Sequence, residues 1–448
     1  MQVNSSRRRR NRQQRFVVTT DGEGIANHVG SVALRDLSDA IGLTRALSLA
    51  MAAHRGPRFA HDPGEILRDL VVMLADGGDC VSDLSALRDQ PTLFGPVAST
   101  ATAWRLIASM TEQDLEGLHE ARRVARAKAW RRRPAPKQIV LDLDATLVTA
   151  HSEKENAAPN FKRGFGFHPV LCYVDQLEDA LAGKLRPGNA TANNNADNIE
   201  VLELAVAQLP ASKPPREILV RGDSACATHA FVKQVRELGL TFSIGLDLYQ
   251  PVREAILNTS ERAWVPAIDQ EGEQREGAAV CELTTFDLSA WPAGTRAICR
   301  RERPHPGAQL TFTDANGFRF QVFITDQADA AIAQLELRHR AHAHVENRIR
   351  CAKDTGLDKF PFHDFLPNQV WLELVLAAQD LLAFFQRLCL RGEAREWEPK
   401  TLRYRLFHTA ARIVHSGRRL ILRLQRNWPW TRLLDQAFNR LRRIALVT

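Results

Sequence analysis

QIVLDLDATLV, residues 138–148, follows the helix-breaking segment RRRPAPK at 131–137 and reads as a buried β-strand. Side chains repeat every two residues along a strand, so Asp142 and Asp144 share one face, with Asp144 at the strand's end. GFHPVLCYVD (166–175) predicts a second strand and 180–185 a third. The Asn-rich turn RPGNATANNNADN (186–198) predicts the cap of a helix over 199–209. EILVRGDS (217–224) predicts a strand ending in Asp223, followed by a helix over 226–238 and a strand at LTFSIGLD (240–247). This order builds an α/β sheet of mixed pairing.

Further on, 251–325 holds short alternating runs (AAVCELTTF, AGTRAICRRE, AQLTFTD, FRFQVFIT) between turn residues, the pattern of an antiparallel β insertion. Helical periodicity returns over 329–353 and 366–391. The longest apolar run, 370–385, contains Glu373, Gln379 and Asp380, which suits a buried helix and not a membrane span. RIVHSGRRLILRL (412–424) predicts a hairpin turning at Ser416-Gly417. Ahead of the central strand, 31–132 is helical in pattern. Leu37…Ala40-Ile41-Gly42-Leu43-Thr44 fits either the turn of a helix-turn-helix or two packed core helices. Thr111-Glu112-Gln113-Asp114 predicts an N-cap box for a helix running to 132. The resulting division is a basic flexible arm (1–20), a helical region (21–137), a core in two parts (138–250 and 326–392) around the insertion (251–325), and a basic C-terminal region (393–448).

The 448 residues carry 60 Lys and Arg against 52 Asp and Glu, a net charge of +8. An apolar fraction of 44% with 25% charged residues excludes wholesale disorder. The seven Cys are scattered, no two closer than 18 residues, so zinc-ribbon spacing is absent and a reducing cytoplasm is expected. Charge is segregated. Residues 1–20 hold six Arg and no acid, and 400–448 hold twelve Lys and Arg and one acid, which leaves 21–399 at −9. Basic ends around an acidic middle suit a polyanion gripped at the edges of a carboxylate-bearing site, and nucleic acid is the expected partner.

Asp144 and Asp223 each end an apolar strand, and Glu346 lies in the helical stretch RAHAHVENRIRCAKDTG. Acids after buried strands are common caps, so each alone is structural more often than not. Gathered at one edge of an α/β sheet, the three suit two Mg²⁺ ions roughly 4 Å apart that clamp the attacking and leaving oxygens of phosphoryl transfer, with Mn²⁺ able to substitute. Asp142, on the same face as Asp144, is a further candidate ligand. No G-x-S-x-G elbow and no G-x-x-x-x-G-K-[ST] loop is present.

LDLDATLVTAHSEKENAAPNFKRGFGFHPVLCYVD, LVRGDSACATHAFV and HVENRIRCAKDTGLDKFPF, in that order, resemble the DDE transposases of bacterial insertion sequences, most of all the group whose domain is called DDE group 1 (the thirteen-eighty insertion-sequence family). The resemblance spans roughly 25–448. It implies an RNase H-like catalytic core interrupted by an antiparallel β insertion, with a helical N-terminal DNA-binding region. It assigns Asp144, Asp223 and Glu346 as the catalytic, metal-holding trio. It also implies double-stranded DNA as partner, both element terminal inverted repeats and target, a homodimer on paired ends, and a nucleoid-associated place in the bacterial cytoplasm.

Related enzymes carry Tyr-x2-Arg-x3-Glu-x6-Lys around the helix Glu. Lys353 matches, whereas His339 and His342 stand at the Tyr and Arg positions. Lys353, Arg340 and Arg350, Lys162 and Arg163 in the loop between the first two strands, and Arg7, Arg8, Arg9 and Arg10 in the arm are the expected DNA contacts. His339, His342 and His344 are expected to face solvent or DNA rather than hold a metal. Trp264 and Trp291 are expected to pack in the insertion. LDLDAT also resembles the D-x-D-x-T motif of haloacid-dehalogenase-type phosphatases, with Asp142 as nucleophile, but the acidic partner such a site needs after Asp223 is missing. A catalytically dead DNA-binding derivative is the other alternative.

Overall fold

The computed structural model describes residues 17–56, 60–133, 136–191, 193–210, 217–305, 307, 314–328 and 330–446. The strand read at 138–148 forms over Gln138–Ala145 (β1), followed by Val170–Val174 (β2), Ala180–Lys184 (β3), Glu217–Gly222 (β4) and Thr241–Leu246 (β5). Four more strands come from the insertion: Val265–Ile268 (β6), Gln274–Glu282 (β7), Arg296–Glu302 (β8) and Arg319–Thr325 (β9). All nine share one sheet in the order β6-β7-β8-β9-β5-β4-β1-β2-β3. β1 pairs antiparallel with β2 and parallel with β4, and β4 runs parallel to β5. β9 pairs antiparallel with β5, so the insertion extends the central sheet instead of standing apart from it.

Alternation along the strands gives the sheet two covered faces. Ile139, Leu141 and Leu143 of β1, with Val170, Cys172 and Val174 of β2, face a core closed by the helices Asn195–Ala207 and His229–Glu237. Leu171 and Tyr173 point to the opposite side, into a larger core built around the helix Phe365–Cys389. That helix is apolar nearly all round because helices surround it: it holds the 370–385 run and buries Trp371, Leu374, Leu381 and Phe385.

The larger core joins both ends of the chain. Leu34, Leu37, Leu70 and Leu74 share it with Leu406, Leu434 and Leu441. The strand Ile25–Ala26 pairs with Ala411–Ser416, next to the hairpin partner Arg419–Leu424. The region read as a helical body at 21–137 is therefore packed into one core with the C-terminal half. The helices Val32–Ala40 and Leu43–Ala50, joined at Gly42 with φ 77°, bury Leu34, Leu37, Leu43 and Leu47 as a core pair. The expected N-cap box holds: Thr111 Oγ1 accepts from the Asp114 N–H at 3.3 Å, and Asp114 accepts from the Thr111 N–H at 2.8 Å. In the hairpin Ser416 pairs with Arg419, so the turn residues are Gly417 and Arg418, one position later than the sequence suggested.

The Arg-rich helix Glu112–Arg132 is not a solvated face. Arg122 and Arg126 are buried against Phe365–Cys389, where Arg122 meets Glu373 at 2.5 Å and Asp380 at 3.0 Å. Arg126 meets Asp380 at 2.5 Å, and Arg387 reaches Asp179 at 2.9 Å. Trp130 donates to the same Asp179 at 2.7 Å. Three guanidinium groups face three carboxylates, so the buried charge balances, as it must where desolvation of an unpaired ion is costly.

Candidate active site

The site grows from the register of β1 and β4. Leu143 lies opposite Gly222 in parallel pairing, so the next residues, Asp144 and Asp223, stand side by side at the carboxyl ends of neighbouring strands. Asp223 caps a short turn, accepting from the Ala225 N–H at 3.0 Å. Asp144 accepts from the Ala145 N–H at 2.7 Å.

Glu346 arrives from the other direction, in the first turn of the helix His344–Ala352. Two histidines pin that helix start to the sheet. His342 Nδ1 lies 2.9 Å from Asp142, and His344 Nδ1 lies 2.9 Å from Asp175. Between these acids sits Arg221, which donates to both oxygens of Asp142 at 2.7 Å and reaches Asp175 at 2.8 Å. Arg221 also donates to the Arg338 carbonyl at 2.6 Å, one helix before Glu346. This hydrogen-bonded network of Arg221, Asp142, Asp175, His342 and His344 thus positions the helix Glu against the strand Asp residues.

Electrostatics tie the trio together. Burial pushes the Asp144 carboxyl up to about 6; His342 opposes this, and the nearby Asp223 and Glu346 add to it. The oxygens of Asp144, Asp223 and Glu346 do not all converge within 4.8 Å. Among the described residues that closeness is found in His28–Asp76–His408 and Asp79–Cys80–Asp83, away from the strand ends. Two ions roughly 4 Å apart take one carboxylate between them and one on each flank, so such a site does not require all three acids to meet at one point. The donor set is carboxylate oxygen throughout, with no thiolate, and suits a hard divalent cation. A cation there would also relieve the mutual repulsion that lifts Asp144.

Asp142, expected as a further ligand, takes another role. It is 1% exposed with both oxygens committed to Arg221. Burial opposes its ionisation, but the hydrogen bonds from His342 and Arg221 outweigh that and hold it below its ordinary value. It positions the site rather than facing it, and a buried, doubly paired carboxylate is no phosphatase nucleophile.

Lys353 lies at the site's border, donating to the Leu147 carbonyl at 3.0 Å, three residues beyond Asp144. Lys162 and Arg163 occupy the tip of a small sheet formed by Val148–Thr149, Ala158–Pro159 and Phe165–Phe167. Gly166 lets that sheet close, since a Cβ there would lie 2.0 Å from the Val148 carbonyl oxygen. His168 is pushed down by burial, and it feels Asp223 against that shift and Lys162 with it.

Arg340 and Arg350 do not join. Arg340 donates to the Ile268 carbonyl at 2.6 Å and pairs with Glu336, and Arg350 pairs with Glu398 on the surface. His339, at the Tyr position, is half-buried and stacks on Phe323 with ring centroids 4.3 Å apart; desolvation drives it down to about 3. None of His339, His342 and His344 belongs to a metal-holding group among the described residues. Trp264 stacks under Arg301 at 4.3 Å, and Trp291 packs on His229 at 4.3 Å. Arg7 to Arg10 lie outside the described residues.

Arg221 and Asp175 were missed from sequence, and His342 and His344, expected to face solvent or DNA, instead pair with Asp142 and Asp175. The available signal was a charged residue inside each apolar strand, Arg221 before Gly222 and Asp142 within β1, which together mark a buried ion pair.

A family profile described as "Transposase DDE domain group 1" matches residues 8–446. The chain belongs to the DDE transposases of this group. The transposase family works in DNA transposition and recombination. A search of curated proteins found no match. Among solved structures, the transposase is similar to a piggyBac transposase synaptic complex with hairpin DNA, at 10% identity and a TM-score of 0.43, over 85% of this chain and 80% of that one. Among the described residues no helix is long and apolar enough to cross a membrane.

Proposed function

We propose that this transposase binds the terminal inverted repeats of its own insertion sequence, cuts the element ends and joins them to target DNA, acting as a homodimer on paired ends. The observation that carries this reading is the strand-end pairing of Asp144 with Asp223, faced by Glu346. The order β3-β2-β1-β4-β5, antiparallel for the first three and parallel for the rest, supports an RNase H-like core.

Asp144, Asp223 and Glu346 would hold two Mg²⁺ ions, which when bound supply an activated water and charge for the departing oxygen. Water attacks the phosphodiester at the element end, the bond to the 3′ oxygen breaks, and a 3′-OH is freed. The same carboxylates then serve the attack of that 3′-OH on a target phosphodiester, which expels a target 3′ oxygen. Lys353, fixed to the Leu147 carbonyl, faces the DNA phosphate beside Asp144. Lys162 and Arg163 contact the strand near the scissile bond. Arg221, Asp142 and His342 hold Glu346 in place and touch no DNA.

The test is Mg²⁺-dependent nicking of a duplex carrying the DNA that brackets the gene. Asp223→Ala abolishes nicking while leaving binding largely intact. Cutting by that variant at the wild-type rate would refute the assignment.

A further inference from the structure

The two-stranded ribbon Ala411–Ser416 and Arg419–Leu424 has one face for the protein and one for something else. Its register pairs Ala411 with Leu424, Ile413 with Leu422 and His415 with Leu420. Ala411, Ile413, Leu422 and Leu424 pack on the large core. The opposite face pairs Arg412 with Arg423, Val414 with Ile421 and Ser416 with Arg419, and Arg418 stands at the tip. Ile25, 72% exposed, continues the row beside Arg412.

Three features say that this face meets an anion. Arg412 and Arg423 lie directly opposite each other, an arrangement that destabilises a ribbon unless a counter-charge is supplied. No acid occurs between 411 and 434. Asp36, Asp39 and Asp435 line a groove with Arg419, Leu420, Ile421, Leu422 and Leu424, so Ile421 stands at its rim, 38% exposed, but Arg412, Arg418 and Arg423 do not line it. The ribbon is nevertheless firmly mounted. Ile413 donates to the Gly24 carbonyl at 2.6 Å, and Trp428, just past it, donates to the Arg405 carbonyl at 2.9 Å.

We infer that this ribbon is a DNA-docking element that enters a groove of the duplex, with Arg412, Arg423 and Arg418 on phosphates and Ile421 and Val414 against base edges. The inference rests on the transposase reading and names the surface it uses. A duplex fits the charge, and the B-DNA major groove, about 12 Å wide, admits a two-stranded β-ribbon. The alternation of cationic and aliphatic rows suits phosphate contact on either side of an apolar contact such as a thymine methyl. Like-charge repulsion between Arg412 and Arg423 is then relieved only in the complex, so binding is favoured where folding is not.

The test is a salt titration of the full-length protein by fluorescence anisotropy, on a labelled duplex of the DNA bracketing the gene and on a scrambled duplex of equal length. The variant is Arg412→Gln with Arg423→Gln. Each lost phosphate contact removes about 0.9 from the slope of log affinity against log salt, so the pair lowers the slope by about 2. Affinity at 0.1 M salt falls about tenfold or more. The variant's melting temperature stays at or above the wild-type value, because a repulsion has been removed. An unchanged slope in a folded variant overturns the ribbon assignment, even where wild-type protein nicks the duplex normally. Loss of sedimentation with phosphatidylglycerol vesicles while DNA affinity persists also overturns it. Failure of wild-type protein to bind or cut either duplex instead removes the transposase reading itself.

Discussion

Replacing Arg221 by Met deletes the guanidinium that pairs with both Asp142 and Asp175 while keeping most of its volume. Arg221 is 1% exposed and bonds Asp142 twice at 2.7 Å and Asp175 at 2.8 Å. Breaking a buried pair from one side typically costs about 3–5 kcal/mol, because a charge is left uncompensated. The pH dependence should change sign. In the wild type the Asp142 carboxyl is held below its ordinary 3.8, so its contribution is present at neutral pH and is lost as pH falls through that region. In Arg221→Met the same carboxyl is stranded, its value rises, and stability is regained as pH falls from 7 towards 5 while Asp142 takes up a proton. Urea denaturation at pH 7 and pH 5 measures both effects. The double variant with Asp142→Asn should recover about half the loss at pH 7, and both variants should nick DNA more slowly because Glu346 is no longer held. Stability within about 1 kcal/mol of wild type at pH 7, or a further loss between pH 7 and 5 in the single variant, would refute the reasoning.

In metal-free protein Asp144→Asn should be stabilising. An acid lifted from 3.8 to about 6 carries about 3 kcal/mol of unfavourable ionisation at neutral pH. That strain is absent below pH 4 and grows as pH rises through 6, so the variant's advantage in a melting series at pH 7 should vanish by pH 4, while nicking is lost at every pH. Arg126→Met should cost about 3–5 kcal/mol by leaving Asp380 and Asp179 under-compensated, read as a lower urea midpoint with no change in the residual DNA salt slope. Gly64→Ala should cost about 1–3 kcal/mol or leave the protein insoluble. The added Cβ would sit 2.1 Å from the Ser48 backbone nitrogen, and thermal melts of the soluble fraction check it.

The strands nearest the site were readable because each is an apolar run of five to eight residues closed by a polar one, and Gly222-Asp223-Ser224 announces its own strand end. The three candidate acids could be singled out because two follow such runs and the third sits at helical spacing before Lys353. What surrounds them could not. Nothing in the local sequence marks Arg122 and Arg126 as buried; their counter-ions Glu373 and Asp380 are some 250 residues further on, beyond any local pattern. The insertion's attachment to β5 is made by backbone hydrogen bonds, which carry no side-chain signature, so 251–325 read as a separate piece. Arg340 and Arg350 were placed by charge alone, and charge does not reveal that Glu336 and Glu398 lie within reach.

The strand Ile25–Ala26 takes its partner from Ala411–Ser416, close to the far end of the polypeptide. At 5–20 residues per second a ribosome needs roughly 20–80 s to travel between them. For that interval the first-made helices must wait without the partners that complete their packing, exposed to proteases and chaperones. A chain cut short before Ala411 would lack both the strand that Ile25–Ala26 pairs with and the Leu434 and Leu441 that complete the larger core.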